Sequence, residues 1–155
     1  MASRLEPFSG EEDLPHSPDR IFALLTDPSA FAKIIPGVVS SERVDEKTLK
    51  AVVRPGFSFL KTNLTITLVV AERTPPGDAL LRVDTKGIGL TMQVESRIHV
   101  EPAPNGSGSR VRWQAEVVKM SGLVTAVGST LIRASANKVI RDGWDDVRAH
   151  LAAAP

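Results

Sequence analysis

The chain has 155 residues, 42% hydrophobic and 24% charged, the balance of an ordinary globular domain long enough to bury a core and to leave a cavity inside it. Its 19 basic residues nearly cancel 18 acidic ones and are interspersed rather than clustered, which argues against a nucleic-acid binder. With no cysteine it can form neither a disulfide framework nor a thiolate metal site.

The first residues, MASRLEPFSGEEDLPHS, lack the continuous apolar core of a signal peptide, and no apolar run approaches the roughly 20 residues of a membrane span. A cytoplasmic location is the default expectation. This opening segment reads as one strand, unusually acidic at Glu11, Glu12 and Asp13. Two short helices follow in tandem. Ser17 can accept from the free amides of a first turn, Pro18 fits the first helical position, and Asp19 complements the dipole; Asp27, Pro28 and Ser29 repeat the device. Phe22, Leu24 and Leu25 give the first helix an apolar side, Phe31, Ile34 and Ile35 the second, and Pro36-Gly37 stops it.

From Val38 to Met120 the pattern has period two and is broken by turn residues, as in an antiparallel meander. Strands are predicted over Val38–Val44, Thr48–Arg54, about Lys61–Arg73, Ala79–Thr85, Gly89–Pro102 and Ser109–Met120, making about seven with the opening one. Alternation places Leu64, Ile66, Leu68 and Val70 on one apolar face, with Met92, Val94, Ser96, Ile98 and Val100, and with Val111, Trp113, Ala115 and Val117. Gln93, Glu95, Arg97, His99, Arg112, Gln114 and Glu116 take the wet face. Between strands, Pro55 to Leu60 carries Phe57 and Phe59, which either close over a cavity as a lid or belong to strand and core; both readings stand.

Ser121 to about Ala152 contains no proline, and its helical stripe runs through Gly128, Ile132, Ala136, Val139, Gly143 and Val147. One long helix lying across the apolar face is expected. Glycine inside a helix costs about 1 kcal/mol relative to alanine, so Gly128 and Gly143 imply either close backbone approach or deliberate empty space. Gly143 lies beside Trp144, where tight packing is expected, and Gly128 lies nearer the loops, where a cavity mouth would sit.

The fold class is therefore α+β, and the order of elements resembles the helix-grip arrangement of the START-like, or polyketide cyclase and Bet v 1-like (SRPBCC), superfamily: a curved antiparallel sheet wrapped around a long C-terminal helix. Residues 1–155 are expected to form a single START-like domain. Within that superfamily, FSGEEDLPHSPDRIFALLTDPSAFAKIIPG (Phe8–Gly37) and LVTAVGSTLIRASANKVI (Leu123–Ile140) resemble the opening and the final helix of the CoxG-like family, associated with carbon monoxide dehydrogenase. The resemblance implies an accessory protein to a molybdenum hydroxylase, with a quinone or other lipid as ligand and at most peripheral membrane contact.

A cyclase or aromatase on this fold, the alternative, needs an acid and a base pointing into the cavity. The inward positions are almost all aliphatic. His99 falls on the wet face, His16 and His150 stand at helix ends, and no local spacing gathers them into a metal site. No tyrosine exists to act as a phenolic acid. Arg54, Arg82 and Lys86 either neutralise an acidic ligand group at a cavity mouth or, as charged side chains mostly do, stand solvated at strand ends. Ser96 is the lone polar residue on an inward stripe, and Thr85 is a candidate to join it. The expected function is thus non-catalytic binding of a hydrophobic small molecule, without cofactor or metal, in a cavity lined by Phe31, Phe57 and Phe59; by Leu64, Ile66, Leu68, Leu81 and Val83; by Met92, Val94, Ser96, Trp113, Ala115 and Val117; and by Gly128 and Ile132. A third reading is an interaction module whose cavity has collapsed; a continuous apolar cavity of roughly 300 Å³ or more separates binding from a filled core.

Overall fold

A computed structural model describes residues 6–54, 62–122, 125 and 127–153. Phe57 and Phe59, with the rest of the Pro55 to Leu60 segment, lie outside the described residues. The chain runs β1 (Phe8–Leu14), α1 (Pro18–Leu25), α2 (Pro28–Ile34), β2 (Val38–Asp45), β3 (Thr48–Val53), β4 (Leu64–Thr74), β5 (Asp78–Gly87), β6 (Leu90–Pro102), β7 (Ser109–Gly122) and α3 (Ser129–Ala153). The strands form one antiparallel sheet in the order β1-β7-β6-β5-β4-β3-β2. Only β1 departs from the meander: it joins the far edge, beside β7.

The acidic character of β1 finds its reason in that placement. Glu11 pairs with Arg112 at 2.9 Å and Asp13 with Arg110 at 2.8 Å on β7, and Glu12 with Arg148 of α3 at 2.9 Å. The Arg110 hydrogen bond, aided by the charges of Arg110 and Arg148, holds the Asp13 carboxyl below its ordinary range against the opposing effect of desolvation.

Both short helices are capped as their sequences require. Ser17 Oγ accepts from Arg20 N at 3.3 Å, and Asp27 Oδ1 accepts from Ser29 N at 3.0 Å. Thr26 donates its hydroxyl to Phe22 O at 2.7 Å, closing α1. Ile21, Phe22, Leu25 and Ile34 are buried.

One face of the sheet is apolar. Leu64, Ile66, Leu68 and Val70 are all buried, and so are Ile98, Val100 and Val111. A bulge breaks strict alternation at the end of β7: Val94 faces Val117 and Gln93 faces Lys119, leaving Val118 unpaired and exposed, and bringing Met120 opposite Met92.

The long helix begins later than its sequence pattern predicts. Residues from Ser121 belong first to β7, because the ladder continues to Gly122 opposite Leu90, where a positive φ of 87° turns the chain. Gly128 O then accepts from Leu131 N and Ile132 N, both at 3.1 Å, and α3 starts at Ser129. Gly128 is therefore an exposed residue just before the helix, not part of its buried stripe. Among the described residues, no helix is long and apolar enough to cross a membrane.

Among the described residues the core is divided into three clusters. One joins α1, α2 and the C-terminal half of α3 to Ala79, Ile98, Val100 and Val111. A second gathers Ala51, Val53, Leu64, Ile66, Leu90 and Ile132, and a third Leu49, Leu68, Val70 and Leu81. Space is left where the second half of α3 crosses β6 and β7.

Candidate ligand cavity

That space is an apolar cavity of about 250 Å³, bounded by α1 and α2, by β5, β6 and β7, and by α3. Its cause is visible in residue sizes. Ser96 on β6 stands directly opposite Ala115 on β7, and Gly143 faces the cavity from α3, so small side chains meet where large ones would fill the gap. Large side chains frame it: Phe31, Ile34 and Ile35 from α2, Ile98 and Trp113 from the sheet, and Ile140, Trp144 and Val147 from α3. A Cβ built on Gly143 meets nothing within 4 Å. This glycine marks empty space, which corrects the expectation of tight packing beside Trp144.

The volume falls short of the roughly 300 Å³ expected of a ligand cavity, yet the core is not filled, and the space exceeds the ~150 Å³ apolar cavity known to hold benzene. It suits a substituted ring or part of an alkyl chain. Val139, 39% exposed, and half-buried Ile35 and Pro36 place the entrance between the end of α2 and the middle of α3.

Among the described residues no titratable side chain lines this cavity, whereas a cyclase needs an acid and a base there. Among the described residues, Ser96 brings the polar side chain that opens onto it. Ser96 Oγ has no hydrogen-bond partner among the described residues. Trp113 Nε1 is likewise without a partner among the described residues, but it is sealed against β1 and presents no surface to the cavity; such a state costs about 1–3 kcal/mol. On the paired strands Trp113 sits opposite Ile98, diagonal to Ser96. Gly10 of β1 leaves room for the indole: a Cβ there would stand 2.7 Å from Cζ2 and 3.2 Å from Nε1.

Of the residues predicted to line a site, Phe31, Leu81, Ser96, Trp113 and Ala115 come together at this cavity. Leu64, Ile66 and Ile132 pack instead in the second core cluster and Leu68 in the third, with Val83 against both. Met92, Val94 and Val117 are half-buried and belong to none of these groups. Gly128 lies away from the cavity. The sequence pattern puts Gly143 on the helical stripe but leaves it, Ile140 and Trp144 out of the lining, because it expects tight packing at the Trp144 end.

The outer face carries charge rather than a cluster fit for metal. His99 Nδ1 lies 2.7 Å from Asp78 Oδ1, both exposed, and Arg82 donates to Glu95 Oε2 at 3.0 Å. Arg54 reaches Asn63 Oδ1 at 3.2 Å. Among the described residues no three histidine or acidic side chains gather to hold a metal ion.

Comparison with known proteins points the same way. The family model for CoxG of carbon monoxide dehydrogenase matches residues 10–152. A solved structure of a conserved protein from Geobacillus kaustophilus superposes with a TM-score of 0.85 at 23% identity, covering 95% of each chain. A START superfamily protein from Mycobacterium smegmatis matches with a TM-score of 0.71 at 12% identity, over 96% of this chain and 99% of its own. The protein XoxI from Bacillus cereus gives 0.64 at 12% identity, over 93% and 94%. At these identities the structures show a shared helix-grip fold. No curated protein matches the chain significantly.

Proposed function

Because the chain belongs to the CoxG family of carbon monoxide dehydrogenase, whose model spans residues 10–152, and has a START-like fold suited to hydrophobic ligands, we propose that it is a non-catalytic binder of a small hydrophobic molecule. The observation that carries this reading is the apolar void held open by Ser96, Ala115 and Gly143, with no titratable group among the described residues of its wall. Each methylene buried there contributes about 0.8 kcal/mol before association costs. A quinone-like or lipid ligand suits the site, because Ser96 Oγ offers a hydrogen bond to a carbonyl oxygen in otherwise apolar walls. The family name supports an accessory role beside a molybdenum hydroxylase of the carbon monoxide dehydrogenase kind. In that role the protein takes the ligand without transforming it and works in the cytoplasm, as one START-like domain.

Native mass spectrometry after gentle purification, followed by solvent extraction, identifies a retained ligand. Independently, 2-methyl-1,4-naphthoquinone raises the thermal midpoint of the wild type, and the gain disappears in Gly143→Leu, whose side chain occupies the void. An equal midpoint shift in both proteins would place the quinone elsewhere and defeat the assignment.

A further inference from the structure

A second cavity, of about 340 Å³, lies between β1 and α3 and shares Trp113, Ile140 and Trp144 with the apolar one. Its other walls are polar. Glu12 and Arg148 border it but neutralise each other at 2.9 Å. Arg141 and Asn137, one turn apart on α3, and Ser9 on β1 have no side-chain partner among the described residues. Asp145 borders the same space one turn beyond Arg141 and forms no ion pair with it among the described residues, which disfavours a head group carrying two negative charges. At the junction of the two cavities stands the Trp113 indole, its Nε1 edge over Gly10 and without an acceptor.

Resting on the reading of the apolar void as a ligand site, we infer that the two cavities form one amphipathic site, which takes a molecule with an apolar end and a single carboxylate head. The apolar end fills the space beside Gly143. The head passes Trp113 and lies in the polar vestibule, where the uncommitted donors of Arg141 and Asn137 meet its oxygens. A fork-shaped guanidinium matches a carboxylate in geometry as well as charge. Because Arg141 is exposed, its contribution is that of a partly solvated ion pair and weakens with salt.

The only two tryptophans of the chain, Trp113 and Trp144, both line both cavities, so intrinsic fluorescence reports occupancy of either. Titrations use decanoate, methyl decanoate and 1-decanol below their aggregation concentrations. Wild type is expected to bind decanoate about fivefold more tightly than either neutral compound at low salt. In Arg141→Gln the three affinities converge through loss of decanoate binding, with 1-decanol unchanged; Arg141→Lys restores part of the preference. Equal binding of decanoate and 1-decanol by the wild type would overturn the vestibule while leaving the apolar site intact, as would a preference that survives Arg141→Gln. Failure of all three to bind would overturn both readings.

Discussion

Gly143 stands in the middle of a 25-residue helix at a position where alanine would be more favourable by about 1 kcal/mol, and a Cβ there touches nothing. The glycine therefore does not serve close packing. Gly143→Ala is expected to raise the unfolding free energy by about 1 kcal/mol in urea denaturation and, by taking one methyl group's volume from the cavity, to weaken binding of the naphthoquinone. Trp113 shows the opposite economy. Its N–H is buried unpaired in a wall that is otherwise apolar, and Gly10 is small so that the ring fits over β1. The periodic pattern assigns Trp113 to the inner face correctly, since alternation needs only the strand. It cannot show the unpaired N–H, which depends on what stands across the space.

Among the elements, α1 and α2 form one wall of the cavity, and their position depends on their caps. Ser17→Ala removes the acceptor for Arg20 N and is expected to lower stability by about 1 kcal/mol, read as a lower urea midpoint with an unchanged slope. The opening strand is held to β7 and α3 by ion pairs, and their pH dependence has a definite sign. The folded-state pKa of Asp13 lies below its ordinary 3.8, chiefly through the Arg110 hydrogen bond. Its stabilising contribution is thus complete above the ordinary value and disappears as pH falls through the lowered one. Wild type and Asp13→Asn should differ most near neutral pH and converge in acid, with both ends of the comparison followed by urea midpoints; the exposure of Asp13 keeps the difference small.

Strand boundaries are legible in the sequence because turn residues and period-two runs are local signals; Thr48–Val53 and Leu90–Pro102 fall within one residue of the predicted limits. The start of α3 is not. Nothing near Ser121 reveals that Leu90, far away in the chain, pairs with Gly122 and keeps this stretch in the sheet.

At the scale of the whole molecule, the cavity falls beside the other glycine of the helical stripe from the one expected at a cavity mouth. Gly128 stands before the helix, while Gly143 faces the void against β6 and β7, and Leu64, Ile66 and Leu68 close-pack in the core. The sheet residues Ser96, Trp113 and Ala115 are recognisable because alternation places all three on the inner face, where Ser96 and Ala115 are also small. The helix residues require knowing which turn crosses which strand, a relation between elements that no local pattern contains.

The site is tested most directly by nuclear magnetic resonance of the ¹⁵N-labelled protein titrated with 1-decanol, which needs no assumption about the head group. Shifts are expected to concentrate on the amides of Ser96, Ala115 and Gly143 and on the indole N–H signals of Trp113 and Trp144, and to saturate together. Saturable shifts centred instead on Leu64, Ile66 and Gly128, with both indole signals unmoved, would contradict the cavity assignment.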